Sequence, residues 1–128
     1  MMMQPLQGSF VALVTPMFPN GDLDYVSLKN LIDWQINKGI SGIVSVGTTG
    51  ESATVNVKEH IEIIEKTIEY TNGRVPVIAG TGANSTQEAI ELTQTANNLG
   101  ADYALVVTPY YNKPNQDGLI KHYLKIAD

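Results

Sequence analysis

Cysteine is absent from the 128 residues of the sequence, which excludes disulfide bridges and thiolate metal sites. The absence also agrees with a reducing compartment. Basic residues are few, because eight Lys and Arg stand against thirteen Asp and Glu, for a net charge of −5. These basic residues form no patch or stripe along the chain. Nucleic acid and anionic membrane surfaces are therefore poor partners.

A basic leader and a long hydrophobic run are also missing. The first 16 residues, "MMMQPLQGSFVALVTP", contain no Lys or Arg, and their apolar run stops at Pro16. A secretory signal needs a basic segment before its apolar core, and a membrane-spanning helix needs about 20 apolar residues. We therefore expect neither, and we expect a cytoplasmic protein.

Four short apolar runs recur through the chain, whose composition of 43% hydrophobic and 16% charged residues is ordinary for one soluble domain. The runs are too short for helices and too continuous for alternating strands. They predict four strands buried on both faces, Phe10–Val14, Ile43–Val46, Val75–Ala79 and Tyr103–Val107. Strand starts about thirty residues apart are typical of βαβ units.

Three stretches between these runs have a capping residue in front and a glycine behind, which predicts helices over Tyr25–Lys38, Val57–Tyr70 and Thr86–Leu99. In the second of them we expect Glu62 and Lys66 to pair on the outer face. A fourth helix is predicted to start near Asp117. The pattern βαβαβαβα predicts an α/β fold with a parallel sheet.

Threonine stands at the carboxyl end of every predicted strand, in "LVTP", "SVGTT", "IAGTG" and "VVTPYY". Parallel α/β folds of both barrel and open-sheet type build their sites at that end. In "GTTGE", residues 47–51, backbone amides and the hydroxyls of Thr48 and Thr49 can together hold a small carboxylate. The alternative is an ordinary turn whose threonines satisfy local backbone groups.

Other motifs give weaker signals. "GTGANS" at 80–85 lacks the last glycine of a dinucleotide fingerprint, and Asp102 precedes its strand instead of ending it. His60 and His122 have no second metal ligand at a suitable spacing, so no metal site is predicted. No lysine lies in the middle of a strand, where burial depresses a pKa for nucleophilic work.

Two further motifs have a structural and a functional interpretation. Tyr110 and Tyr111 follow a strand, and neighbours in an extended segment point in opposite directions, one toward the strand-end pocket and one toward a partner or a second pocket. Aromatic packing is the alternative. Ser85 and Glu88 have the spacing of a capping box, which explains both residues without a ligand.

"VSVGTTGESAT", "VIAGTGAN" and "VTPYYNKP", in this order on successive units, resemble the dihydrodipicolinate synthase (4-hydroxy-tetrahydrodipicolinate synthase) family of pyruvate-dependent Schiff-base aldolases. The likeness runs from about Gly8 to the last residue. The doubled threonine favours the synthases over N-acetylneuraminate lyase, which usually has serine before threonine. The resemblance implies a parallel (β/α)8 TIM barrel, of which residues 1–128 supply the first four βα units as the N-terminal half of one domain.

The resemblance also implies a lyase that condenses pyruvate with L-aspartate 4-semialdehyde through a lysine Schiff base, in lysine (diaminopimelate) biosynthesis, with no cofactor. Thr49 and its backbone would bind the pyruvate carboxylate, and Thr48 would contact substrate and relay protons with Tyr111. The Schiff-base lysine of the family is on the sixth strand and has no counterpart in this chain, so the segment alone is expected to be inactive.

The resemblance further implies a homotetramer, a dimer of dimers, in which the phenol of Tyr111 reaches the neighbouring subunit's site. Lysine would be an inhibitor bound at the dimer interface, by residues matching Ser52, Ala53, His60, Asn84, Glu88 and Tyr110. Val57 takes a position often occupied by histidine, so moderate inhibition is expected. Two other hypotheses stay open, a non-catalytic half-barrel that binds small carboxylates or pairs with another half, and an independent flavodoxin-like domain.

Overall fold

Strands and helices alternate along the chain in the computed structural model, which describes residues 5–128. In chain order the elements are β1 Phe10–Ala12, α1 Tyr25–Asn37, β2 Gly42–Ser45, α2 Val57–Thr71, β3 Val77–Gly80, α3 Thr86–Leu99, β4 Tyr103–Leu105 and α4 Gln116–Ala127. The predicted order of elements is thereby confirmed. None of the helices within residues 5–128 is long and apolar enough to cross a membrane.

The four strands form one parallel sheet in the order β1-β2-β3-β4, so each strand is bonded to its neighbour in sequence. A flavodoxin-like sheet has the order 2-1-3-4-5, with its first strand inside the sheet. A barrel instead adds each strand beside the previous one. The observed order therefore contradicts the flavodoxin-like hypothesis and matches half of a barrel.

Helix starts follow the predicted capping chemistry. The side chains of Asp24, Asn56 and Ser85 each accept a hydrogen bond from the amide three residues later, as N-cap residues do. The fourth helix begins at Gln116, and Asn115 caps it by accepting from the Gly118 amide. Its start lies one residue before the predicted position.

Strand starts and ends differ slightly from the prediction. The third strand begins at Val77 and not at Val75, because Pro76 has no amide hydrogen for the ladder. The Val77 amide donates instead to the Asp102 carboxylate, at 2.9 Å. Asp102, just before β4, thus supplies the acceptor for the first amide of β3.

Burial differs between the inner and the outer strands. The inner strands β2 and β3 are buried except for partly buried Val44, as predicted. The prediction is wrong for β1 and β4, since Ala12 and Ala104 are exposed and Leu105 is 52% exposed. Each outer strand lacks a neighbour on one side, and the concave face of a four-stranded sheet has no opposite strands to cover it.

The core lies between the sheet and the helices in two clusters. One, at β1, β2 and α1, comprises Leu13, Leu28, Ile32 and Ile43. The other, at β2, β3, α2 and α3, comprises Val46, Ile63, Ile64, Ala79 and Ala96. The helices thus cover the convex face of the sheet, which leaves the carboxyl edge open.

The predicted pair of Glu62 and Lys66 is wrong. The Lys66 ammonium binds Glu69 instead, at 2.8 Å and three residues further along the helix. Glu62 lies near the phenol of Tyr25, and burial together with this carboxylate raises the pKa of that phenol. The carboxylate of Glu62 is therefore turned toward α1 and away from the outer face.

Gly80, the last residue of β3, lies against the backbone of the segment after β2. A Cβ at this position would fall on the Val46 carbonyl group and lie 2.9 Å from the Gly47 Cα. A Cβ at Gly47, in contrast, would meet the Val44 side chain at an ordinary 3.4 Å. Of these two glycines, Gly80 is therefore the one that the close approach of the backbones requires.

We predict that Gly80→Ala lowers the free energy of unfolding by about 1–3 kcal/mol, because backbone must move to admit the methyl group. Gly47→Ala is the matched control and changes stability by less than about 1 kcal/mol. Urea denaturation of the two variants and the parent chain measures both effects. Equal losses in the two variants would contradict the packing role of Gly80.

Candidate active site

The carboxyl edge of the sheet holds a small cavity of about 30 Å³. It is lined by residues that end or follow β2, β3 and β4, namely Val46, Gly47, Thr48, Ser52, Gly80, Gly82, Leu105 and Val107. The strand ends therefore meet where the sequence places its polar motifs. Thr48 and Ser52 are the residues with hydroxyl groups in this lining.

The loop 47–51 is held by backbone groups and by the segment that follows β1. The Glu51 amide donates to the Thr48 carbonyl at 3.0 Å, and the Thr15 hydroxyl donates to the Gly50 carbonyl at 2.7 Å. Thr48 and Thr49 are exposed, and their hydroxyls make no hydrogen bond to any of residues 5–128. The ordinary-turn alternative, in which they satisfy local backbone groups, has no support in this part of the chain.

Val46, immediately before this loop, has an unusual backbone conformation. Its φ is +47° although it is β-branched, and its side chain is 1% exposed. Left-handed conformations of such residues are outliers that cost about 1–3 kcal/mol and cluster at functional sites. The contact of its carbonyl group with Gly80 occurs at this strained residue.

The threonines at the strand ends fall into two groups. Thr15 and Thr81 are buried, and the hydroxyl oxygens of Thr81 and Thr93 lie within hydrogen-bond distance at 2.8 Å. Thr48, Thr49 and Thr108 are exposed. The sequence predicts a threonine at the end of each strand but assigns no role to Thr15. Its position at a predicted strand end was the signal that could have indicated one.

Tyr110 and Tyr111 lie in a turn and not in the extended segment that we expected. The Asn112 amide donates to the Tyr110 carbonyl at 2.8 Å, and Tyr111 between them has a φ of +68°. This is the pattern of a classic γ-turn, which is rare and strained. Tyr111 is 94% exposed and makes no hydrogen bond to Thr48 within residues 5–128, so one chain does not join the two residues of the predicted relay.

His60 is the best defined of the predicted inhibitor-binding residues. It is 4% exposed, and its Nε2 lies 2.6 Å from the Gly80 carbonyl oxygen, which makes Nε2–H the donor. Burial lowers the pKa of His60, while the Gly80 carbonyl and the nearby Glu88 carboxylate oppose this change. The imidazole is therefore neutral near pH 7, and Glu88 lies within its electrostatic reach.

The other predicted inhibitor-binding residues surround the starts of α2 and α3. The Asn84 carbonyl accepts from the Asn112 side chain at 3.3 Å, which links it to the turn of Tyr110. Tyr110 is 42% exposed, Ser52 is partly buried in the cavity wall, and Ala53 is exposed. The structure thus brings Glu88 near His60 and Asn84 near the tyrosine turn.

The predicted capping box at Ser85 and Glu88 is half formed. The Ser85 hydroxyl accepts from the Glu88 amide at 3.4 Å. The Glu88 carboxylate makes no hydrogen bond to any group of residues 5–128. Capping therefore explains Ser85 and leaves the charge of Glu88 available.

His122 is buried and makes a contact between two helices, which is typical of a structural role. It is 5% exposed, and its Nδ1 lies 2.8 Å from the Thr86 hydroxyl, which joins α4 to the first residue of α3. Across residues 5–128 no group of three or more His, Asp or Glu side chains is placed to hold a metal ion.

The comparison with known proteins agrees with this geometry. A family model described as the dihydrodipicolinate synthetase family matches residues 5–128. The chain belongs to that family. The 4-hydroxy-tetrahydrodipicolinate synthase of Saccharophagus degradans is 62% identical over 122 residues, which cover 95% of this chain and 42% of the relative.

Solved structures of the dihydrodipicolinate synthetase family superpose closely. The chloride-inhibited enzyme of Acinetobacter baumannii, in complex with pyruvate, has a TM-score of 0.94 at 57% identity over 96% of this chain and 42% of its own. The enzyme of Cyanidioschyzon merolae, with lysine bound, has a TM-score of 0.91 at 41% identity over 95% of this chain and 42% of its own. The chain thus spans about 42% of these relatives, and the prediction that it supplies the first four βα units of a parallel (β/α)8 TIM barrel is confirmed.

Burial of His60 predicts a pH dependence of stability. Because the pKa of His60 is lower in the folded than in the unfolded chain, the unfolded state binds the proton more readily. The stabilisation is full above the unfolded pKa of about 6.5 and decreases as the pH falls below it, by at most about 1.4 kcal/mol per pH unit.

We predict that the free energy of unfolding falls between pH 7.5 and 5.5 and that His60→Gln makes this slope shallower. Glutamine retains an N–H donor for the Gly80 carbonyl and does not titrate. Urea denaturation at several pH values gives the two slopes. Parallel slopes in the two proteins would show that His60 is not the titrating group.

Proposed function

We propose that this chain supplies the N-terminal half of the active site of a 4-hydroxy-tetrahydrodipicolinate synthase. Such an enzyme is a lyase that condenses pyruvate with L-aspartate 4-semialdehyde through a lysine Schiff base, in the cytoplasmic synthesis of lysine. The observation that carries the proposal is that the hydroxyls of Thr48 and Thr49, in the exposed turn after β2, make no hydrogen bond within residues 5–128. The Schiff-base lysine belongs to the other half of the barrel, so the 128-residue chain alone is inactive.

Thr49 is proposed to bind the carboxylate of pyruvate. Its hydroxyl and its amide make no hydrogen bond to residues 5–128, so both are available as donors. Neutral donors that converge at the edge of a parallel sheet suit a small carboxylate. With such neutral donors, the carboxylate does not need a buried cationic side chain as its partner.

Thr48 and Tyr111 are proposed to pass protons between the reacting groups and solvent. A threonine hydroxyl accepts one proton while it donates another, and a phenol does the same. Because Tyr111 is 94% exposed and does not contact Thr48 of its own chain, its phenol is free to enter the site of a second copy. This arrangement makes an oligomer, a dimer of dimers in our proposal, necessary for activity.

The test uses a completed barrel, in which this chain is joined to the second half of the Acinetobacter baumannii enzyme, 57% identical over the shared part. We predict that Thr49→Val raises KM for pyruvate, because it removes a donor to the carboxylate. Thr48→Val and Tyr111→Phe lower kcat by about 10²-fold or more, with a smaller effect on KM. Steady-state kinetics with both substrates measure these values.

Tyr70→Phe is the control for the tyrosine variant, because Tyr70 lies on α2 under the Lys66 ammonium, away from the carboxyl edge. It keeps the kinetics of the parent barrel. Unchanged kinetics in Thr48→Val, Thr49→Val and Tyr111→Phe together would remove the proposed roles of this site.

Lysine is proposed to inhibit the complete enzyme by binding beside Ser52, Ala53, His60, Asn84, Glu88 and Tyr110. Three observations support this proposal. The Glu88 carboxylate has no hydrogen-bond partner within residues 5–128 and suits an ammonium group. The relative from Cyanidioschyzon merolae has lysine bound. Val57, 49% exposed, offers no donor where histidine is frequent, which makes the inhibition moderate.

We predict that Glu88→Ala weakens lysine inhibition of the completed barrel by about tenfold or more, since a charge-assisted hydrogen bond is worth about 1.5–3 kcal/mol. Glu91→Ala, one turn further on α3 and bonded to Gln87, is the matched acidic control and leaves inhibition unchanged. Titration of lysine against initial rates gives the three constants. Equal inhibition in all three proteins, or none in the parent at millimolar lysine, would leave Glu88 without this role.

A further inference from the structure

The hydroxyl of Thr15 reaches across the carboxyl edge to the loop that we propose binds the substrate carboxylate. Within that loop the Glu51 amide binds the Thr48 carbonyl, and the Ser52 amide binds the Gly47 carbonyl at 3.2 Å. These two bonds shape the loop but do not attach its far side to the sheet. The bond from Thr15 to the Gly50 carbonyl makes that attachment, 35 residues apart in sequence.

Thr15 is held firmly by its surroundings. It is 7% exposed and lies two residues after Leu13, which is 3% exposed in the core and donates its amide to the Val44 carbonyl at 3.1 Å. Pro16 restricts the backbone of the residue before it, and its own carbonyl accepts the Asp24 amide at 2.9 Å. The hydroxyl is therefore a fixed donor in the segment that follows β1.

Gly50 has the shape that this contact requires. A Cβ at Gly50 would lie 3.1 Å from the Thr15 hydroxyl oxygen and 2.9 Å from the Val46 Cα, closer than side chains normally approach. The bond from Thr15 and the absence of a Cβ at Gly50 thus both let the loop lie against the segment that follows β1 and against the end of β2. Gly50 is buried, and an unpaired carbonyl in such a position is costly.

We infer that Thr15 is a positioning residue of the active site, which fixes Thr49 through the carbonyl group of the adjoining Gly50. The inference rests on the proposed function, in which Thr49 binds the substrate carboxylate. Thr49 adjoins Gly50, so release of the Gly50 carbonyl moves the Thr49 hydroxyl from its place. Displacements of about 1 Å are sufficient to weaken an oriented contact.

The kinetic test compares Thr15→Val, which keeps the shape and removes the hydroxyl, with Thr15→Ser, which keeps the hydroxyl. In the completed barrel, Thr15→Val raises KM for pyruvate about tenfold while kcat changes by less than about threefold, and Thr15→Ser restores the parent value. Thr93→Val is the control, because its hydroxyl binds Thr81 and the Ala89 carbonyl, away from the loop.

Thr49→Val separates the two proposals. If Thr49→Val raises KM and Thr15→Val does not, the carboxylate site stands and the role of Thr15 is wrong. If Thr49→Val leaves KM unchanged, the proposed carboxylate site itself is wrong. An equal rise in Thr15→Val and Thr15→Ser would show that packing and not the hydroxyl is responsible, which also overturns the inference.

A second measurement needs no activity. Glu51 is exposed in the loop, so a protease that cuts after glutamate reports how often the loop opens. Thr15→Val accelerates the cut after Glu51 by about tenfold in the 128-residue chain, and Thr15→Ser and Thr93→Val do not. An equal cutting rate in Thr15→Val and Thr93→Val would overturn the inference.

Discussion

The close contact of two backbones at the carboxyl edge is the constraint on which the site depends. Gly80 has no side chain, so the end of β3 approaches the Val46 carbonyl group and Gly47 directly. The chain after β2 therefore turns sharply, with Val46 in a left-handed conformation that a β-branched residue rarely adopts. The turn leaves the hydroxyls of Thr48 and Thr49 exposed and without a hydrogen-bond partner within residues 5–128.

Local chemistry explains why the elements were predictable from the sequence. The caps Asp24, Asn56 and Ser85, and the glycine after Leu99, act within one turn of the chain, and the structure confirms each of them. The parallel sheet followed from the thirty-residue spacing of the apolar runs. The site was predicted at the strand ends for the same reason, since parallel strands end at one edge.

Features that depend on contacts across the chain could not be predicted in this way. Lys66 pairs with Glu69, while Glu62 lies near Tyr25 on a different helix. The γ-turn at Tyr111 and the link from Thr15 to Gly50 depend on the packing of loops from different units. The periodicity of a sequence contains no information on contacts between different units. The sequence therefore indicated candidate residues but not the contacts that they make.

Half of a barrel also explains the exposed apolar side chains. Val14, Leu105 and Val107, at or beyond the ends of the outer strands, are 36–53% exposed. On α4, Ile120 and Leu124 are four residues apart and more than half exposed. In a closed barrel the opposite strands and the next helix cover such positions. The exposure is therefore the one expected for four of the eight βα units of a barrel.

Trapping of the pyruvate imine with borohydride, followed by peptide mass spectrometry, tests the central claim most directly. The account predicts no pyruvyl adduct on the 128-residue chain alone, because its seven lysines lie in helices and loops. It predicts an adduct in the completed barrel on a lysine of the second half. An adduct on any lysine of this chain, Lys113 included, would contradict the claim that these residues bind and position pyruvate for a nucleophile on the other half.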